Sequence, residues 1–79
     1  MANSKSVNQM NRDLRTHSAG RTIERIDPAC PERYDRFIHA HFKDGSALYI
    51  NGEWKHGRKT LTNVEKEWLQ QNGWTLPSD

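Results

Sequence analysis

The chain has 79 residues, 33% of them hydrophobic and 28% charged, with a mean hydropathy of −1.06 and a formal charge of +2. A chain this short buries only about 60% of the surface it exposes when unfolded, which limits it to one small domain with a thin core. No run approaches the ~18 apolar residues of a membrane span, no apolar stretch follows a basic start as in a signal peptide, and a single cysteine excludes a disulfide scaffold and points to the cytoplasm.

Residues 1–20 hold only Met1, Val7, Met10 and Leu14 as large apolar groups, whereas all four isoleucines, both phenylalanines, both tyrosines and all three tryptophans come later. We therefore expect a polar, basic N-terminal arm over residues 1–20 and a single small domain over 21–79. Ser6 followed by Gln9 has capping-box form, and Val7, Met10 and Leu14 recur at helical spacing. A stripe this thin suits either a short helix or a frayed tail that samples one.

Thr22–Ile26 has the β-branched character of a strand, and Pro28 and Pro31 around Cys30 break it into a loop. Arg33–Phe42 alternates, with Tyr34, Ile38, Ala40 and Phe42 on one face and Asp35, Phe37, His39 and His41 on the other. A three-residue Lys43-Asp44-Gly45 loop leads into a strand over 46–50. That loop places Phe42 opposite Ser46, Ala40 opposite Leu48 and Ile38 opposite Ile50, which keeps polar and apolar faces separate. Asn51-Gly52 is a strong hairpin signal, and Glu53–Arg58 reads as the next strand. A two-residue turn there pairs Tyr49 with Trp54. The second sheet face then carries Phe37, His39, His41, Ala47, Tyr49, Trp54 and His56.

The C-terminal element is the most strongly signalled. Thr62 and Glu65 form a capping box, Leu61, Val64, Trp68 and Leu69 make an apolar stripe, and Asn72-Gly73 predicts a Schellman ending that folds Trp74 back on Leu69. The expected fold is α+β: a small antiparallel β-meander of three to four strands, covered by one C-terminal α-helix, with the polar arm at the N-terminus.

Catalytic motifs are absent, and the scattered carboxylates suggest no acid/base pair, so we expect a non-enzymatic protein. His39 and His41 point the same way on a strand, with His56 across the sheet and Cys30 nearby as further ligands to an ion. The spacing matches no compact zinc pattern, however, so the histidines are read as solvent-facing, with no metal and no cofactor assigned. Charge is more informative. Lys5, Arg12, Arg15 and Arg21 against Asp13 give the first 21 residues +3, and Lys55, Arg58 and Lys59 form a second cluster with no acid inside it. Two basic segments on an otherwise acidic chain are the footprint of a phosphate backbone.

The order of hairpin, Trp54, His56-Gly57-Arg58 and C-terminal helix resembles the DNA-binding end of H-NS-type nucleoid proteins. That resemblance covers about twenty-five residues and implies a Gly57-Arg58 loop that enters an AT-rich minor groove. The family's long oligomerising helix and the proline after its arginine loop are missing. A three-stranded sheet with one helix is also similar in topology to integrase arm-binding domains.

Two functions follow from the residues. One is nucleic-acid binding through Arg12, Arg15, Arg21, Lys55, His56, Arg58 and Lys59, as an accessory or regulatory protein. The alternative is a protein-binding module or inhibitor, of phage or plasmid type, that grips a larger protein through Phe37, His39, His41, Tyr49 and Trp54. The edge strand at 22–26 offers such a partner a further pairing surface. Neither reading involves a membrane.

Overall fold

The structure, a computed structural model, describes residues 6–30 and 37–77. Helix α1 (Val7–Leu14) leads through a 3-10 turn (Ser18–Arg21) into β1 (Ile23–Asp27), followed by β2 (His39–Phe42), β3 (Ala47–Tyr49), β4 (Trp54–His56) and α2 (Asn63–Gln71). The strands form a single antiparallel sheet in the order β1-β2-β3-β4. The fold is thus α+β, a four-stranded meander with a helix at each end of the chain. The expected strand over 33–42 is observed from His39, and its first part, 33–36, lies outside the described residues.

Both helices start as the sequence predicts. Ser6 accepts from the Gln9 amide while the Gln9 side chain accepts from the Ser6 amide, and Thr62 and Glu65 do the same for α2. The α2 terminus is the expected Schellman turn: Gly73 has φ 85°, its N–H donates to Gln70, and the Trp74 N–H donates to Leu69 at 3.0 Å.

The segment read as an arm is, from Ser6 onward, built into the body. Met10 and Leu14 are buried in one core with Ile23, Ile26, Ala40, Phe42, Leu48, Leu61, Trp68, Leu69 and Trp74. Two polar contacts lock α1 down. The Asn11 amide donates to the Ile26 carbonyl at 2.8 Å and accepts from the Ile26 N–H at 2.7 Å, acting as a one-residue strand on the outer edge of β1. The Trp68 indole N–H donates to Asp13 at 2.7 Å, tying α2 to α1. Gly20 is small of necessity, because a Cβ there would run into the Leu14 carbonyl. The edge expected to receive a partner is therefore covered at Ile26.

The first hairpin has the expected register. Phe42 donates to the Ser46 carbonyl at 2.9 Å, Gly45 has φ 96°, and Ala40 pairs with Leu48. The second differs by one residue. Gly52 donates to the Tyr49 carbonyl and Tyr49 to the Glu53 carbonyl, so the loop is Ile50-Asn51-Gly52, with Gly52 at φ 94° as its left-handed third residue. Asn51 stabilises this longer loop by accepting from the Glu53 N–H at 3.0 Å, and the Ile50 carbonyl accepts from Thr75. The slip turns Trp54 to the other face, and a register shift between Leu48 and Ala47 then restores the pairing of Ala47 with His56. Trp54 accordingly pairs with Leu48 and sits on the core face, its ring 6.1 Å from that of Phe42, instead of facing outward beside Tyr49.

Candidate functional site

Among the described residues, two regions concentrate chemistry-bearing side chains. The first is a cleft of about 410 Å³ lined by Trp54, Arg58, Lys59, Thr60, Leu61, Lys66, Leu76 and Pro77. It is made where the chain leaves β4, crosses to α2 and returns after Trp74. Gly57 (φ 56°) supplies the left-handed residue that lets the chain turn before Arg58. Trp54 is half-buried, Arg58 and Lys66 are exposed, and Leu61, Leu76 and Pro77 provide apolar wall.

Lys59 lines the cleft but is committed elsewhere. Its ammonium lies 2.6 Å from Glu65 Oε2 and 4.8 Å above the Phe42 ring. Glu65 is fully buried, and it also accepts from the Thr22 hydroxyl at 2.6 Å and from the Thr62 N–H at 2.7 Å. Burial pushes the Glu65 carboxyl up, but the Lys59 ammonium, the Thr22 hydroxyl and the Thr62 amide outweigh it and hold its pKa below the ordinary value. Helical spacing expected Val64 to point inward. The inward positions instead go to Glu65, Trp68 and Leu69, and Val64 is 40% exposed. Sequence reasoning missed Lys66, whose place in the cleft depends on how the 58–61 segment crosses beneath α2.

The other basic residues are dispersed. Arg12 is exposed on α1, which packs beside edge strand β1, Arg15 is exposed at its C-cap, and Arg21 is exposed at the end of the 3-10 turn. The 55–59 segment leaves the opposite edge, β4. Within that segment His56 is exposed, while Lys55 lies close enough to His41 for its charge to act on that imidazole.

The second region is the sheet face turned away from the helices. His39 and His41 share that face as the alternation predicts, but they are not the solvent-facing pair expected. His39 is 2% exposed, with the ring of Tyr49 at 5.8 Å and that of His41 at 5.0 Å. Phe37 stacks edge-on against Tyr49 at 5.8 Å and remains 38% exposed. With Trp54 on the core face and His39 buried, the aromatic surface is reduced to Phe37, the half-buried Tyr49 and part of His41.

Asp27, absent from the sequence expectations, joins these histidines because β1 pairs with β2 so that Asp27 lies opposite His39. Its Oδ2 is 2.9 Å from His41 Nε2 and 3.7 Å from His39 Nε2. Burial, with help from the charges of Arg25, His39 and Lys55, lowers the His41 pKa below its ordinary value despite the pull of Asp27. His56 pairs with Ala47, which in turn pairs with His41, so it sits two strands from His41, roughly 10 Å away, and does not join the cluster.

No protein-family model, curated protein or solved structure matches this chain, so the H-NS-type likeness rests on Trp54, Gly57 and Arg58 alone. Among the described residues, no helix is long and apolar enough to cross a membrane.

Proposed function

We propose that the protein is a non-enzymatic, cytoplasmic nucleic-acid-binding protein that holds a single-stranded segment in the cleft beside α2. The observation that carries this reading is the meeting of a half-buried tryptophan, Trp54, with two exposed cations, Arg58 and Lys66, over an apolar wall. An aromatic face accepts any base by stacking, and flanking cations take the phosphates on either side. Arg58 presents a planar fork to a phosphate, whereas Lys66 acts as a point charge. His56 is exposed two residues before Arg58. Arg12 and Arg15 line separate, more open hollows beside α1, and with Arg21 they add a diffuse positive field. Lys59 contributes by holding the wall in place through Glu65.

The test is titration of a short oligothymidylate at several salt concentrations, followed by tryptophan fluorescence. Trp68 and Trp74 are buried, so quenching reports mainly on Trp54. Binding should weaken with salt with a log–log slope of about −0.7 per phosphate neutralised. Arg58→Ala with Lys66→Ala should flatten that slope by roughly 1.4 and leave the far-ultraviolet spectrum unchanged. Duplex binding that exceeds single-strand binding, or a slope unmoved by the double substitution, would sink the cleft as the contact surface. Salt-insensitive capture of a protein through Phe37 and Tyr49 would favour the alternative function.

A further inference from the structure

We infer that Asp27, His39 and His41 form a binding site for a late first-row transition-metal dication of the Zn²⁺ type. The site bridges β1 to β2 on the face opposite the helices and is independent of the nucleic-acid cleft. One ligand atom from each of the three residues lies within 4.8 Å of the others. A tetrahedral ion with metal–ligand bonds near 2.0–2.1 Å separates its ligand atoms by ~3.3 Å. The Asp27–His41 and Asp27–His39 separations, 2.9 and 3.7 Å, fall on either side of that value. The two Asp27 pairs therefore need only a few tenths of an ångström, while the two histidine nitrogens, within 4.8 Å of each other, close by at most about 1.5 Å through side-chain rotation.

The tautomer of the buried histidine also points into the site. His39 Nδ1 lies 3.1 Å from the Phe37 carbonyl. A carbonyl only accepts, so Nδ1 carries the proton, and in the neutral ring Nε2 presents its lone pair. That lone pair faces a carboxylate oxygen at 3.7 Å, beyond hydrogen-bond reach, in a residue that is 2% exposed. Two electron-pair donors thus face one another across a gap beside the Tyr49 ring. A cation between them satisfies both.

The surroundings orient the remaining ligands. Arg25 donates from Nε to Asp27 Oδ1 at 3.0 Å and to Oδ2 at 3.3 Å, and its own charge is shared with Glu24 at 2.8 Å. Asp27 can keep Oδ1 on Arg25 while Oδ2 turns to the metal, an arrangement in which outer hydrogen bonds steady inner ligands. His41 Nε2 lies 2.9 Å from Asp27 Oδ2. With the ring proton on Nδ1, Nε2 is free to coordinate with no net change in charge. Two imidazoles and a carboxylate select zinc, cobalt, nickel or copper over calcium and magnesium. Asp27 and His41 are 30% and 22% exposed, so the ion has an entry path and retains water in its open positions.

The experiment uses tag-free full-length protein freed of metal with a chelator, then titrated with Zn²⁺ by calorimetry and with Co²⁺ by visible absorption. We expect a single ion per chain, tetrahedral or five-coordinate Co²⁺ bands, and a thermal midpoint that rises with Zn²⁺ concentration. His41→Gln and Asp27→Asn, both at partly exposed positions, should fold and should each weaken Zn²⁺ at least about tenfold. His17→Ala and His56→Ala should bind as the wild type does. The proposal is overturned if neither ion binds stoichiometrically in the micromolar range. It is equally overturned if binding survives both His41→Gln and Asp27→Asn, or is lost in His56→Ala.

Discussion

Replacing Lys59 with Met removes a charge from the protein interior while nearly conserving volume. The ammonium sits 2.6 Å from Glu65 Oε2, with only 16% of the Lys59 side chain and none of the Glu65 side chain exposed. Breaking a buried pair by deleting one partner costs about 3–5 kcal/mol, because the other charge is stranded. The carboxylate has an escape that bounds this cost. Taking up a proton at pH 7 against an ordinary pKa of 4.5 costs about 3.4 kcal/mol at 1.36 kcal/mol per unit. The Thr22 hydroxyl and Thr62 N–H still donate to it, which favours the lower part of the range. We expect a loss of about 3 kcal/mol, a large share of the roughly 4–12 kcal/mol typical of a domain this size. In thermal terms that is roughly 12–24 °C. Urea unfolding followed by tryptophan fluorescence at pH 7 and pH 5 measures it. If the stranded carboxyl protonates, the penalty shrinks by up to about 1.4 kcal/mol per pH unit on acidification. Adding Glu65→Leu should restore much of the loss. A Lys59→Met penalty below about 1 kcal/mol, the same at both pH values, would refute a buried pair and return Lys59 to the exposed, phosphate-binding group.

Three further outcomes follow from the same contacts. Because the Glu65 pKa is lower folded than unfolded, its contribution to stability is complete above the unfolded value, 4.5, and is lost as pH falls through the folded value. Wild-type urea midpoints should therefore fall on acidification below about pH 5, and Glu65→Gln should lose part of that slope. Asn11→Ala strips two hydrogen bonds from the buried Ile26 backbone and should cost about 1–3 kcal/mol. Its signature is faster exchange of the Ile26 amide, and unchanged protection there would dismiss the edge-covering role. Gly20→Ala drives a methyl group into the Leu14 carbonyl and should cost about 1–3 kcal/mol by overpacking, read as a lower thermal midpoint.

Local chemistry made much of the fold legible. Ser6/Gln9 and Thr62/Glu65 mark helix starts because their side chains satisfy amides three residues away. Gly73 marks an end because only a left-handed residue closes that turn cheaply. The Lys43-Asp44-Gly45 loop and its register follow from the same glycine logic combined with the alternation of Ile38, Ala40 and Phe42. Cleft residues were partly legible too, since Trp54 and Arg58 stand out in the chain while Lys66 does not.

Tertiary structure decided what these signals leave open. Asn51-Gly52 is compatible with two- and three-residue loops, and the choice of the longer one turned Trp54 from the outer face to the core. Whether α1 was an arm or a part of the body depended on Asn11 meeting Ile26 and Asp13 meeting Trp68, contacts 15 and 55 residues apart. Glu65 and Lys59 look like surface charges until the chain crossing places them together under Phe42. Asp27 became a neighbour of His39 and His41 only through strand pairing. Caps and turns are settled within four or five residues, where geometry is nearly rigid. Which distant side chains share a buried space depends on how the whole chain packs, and no local pattern encodes it.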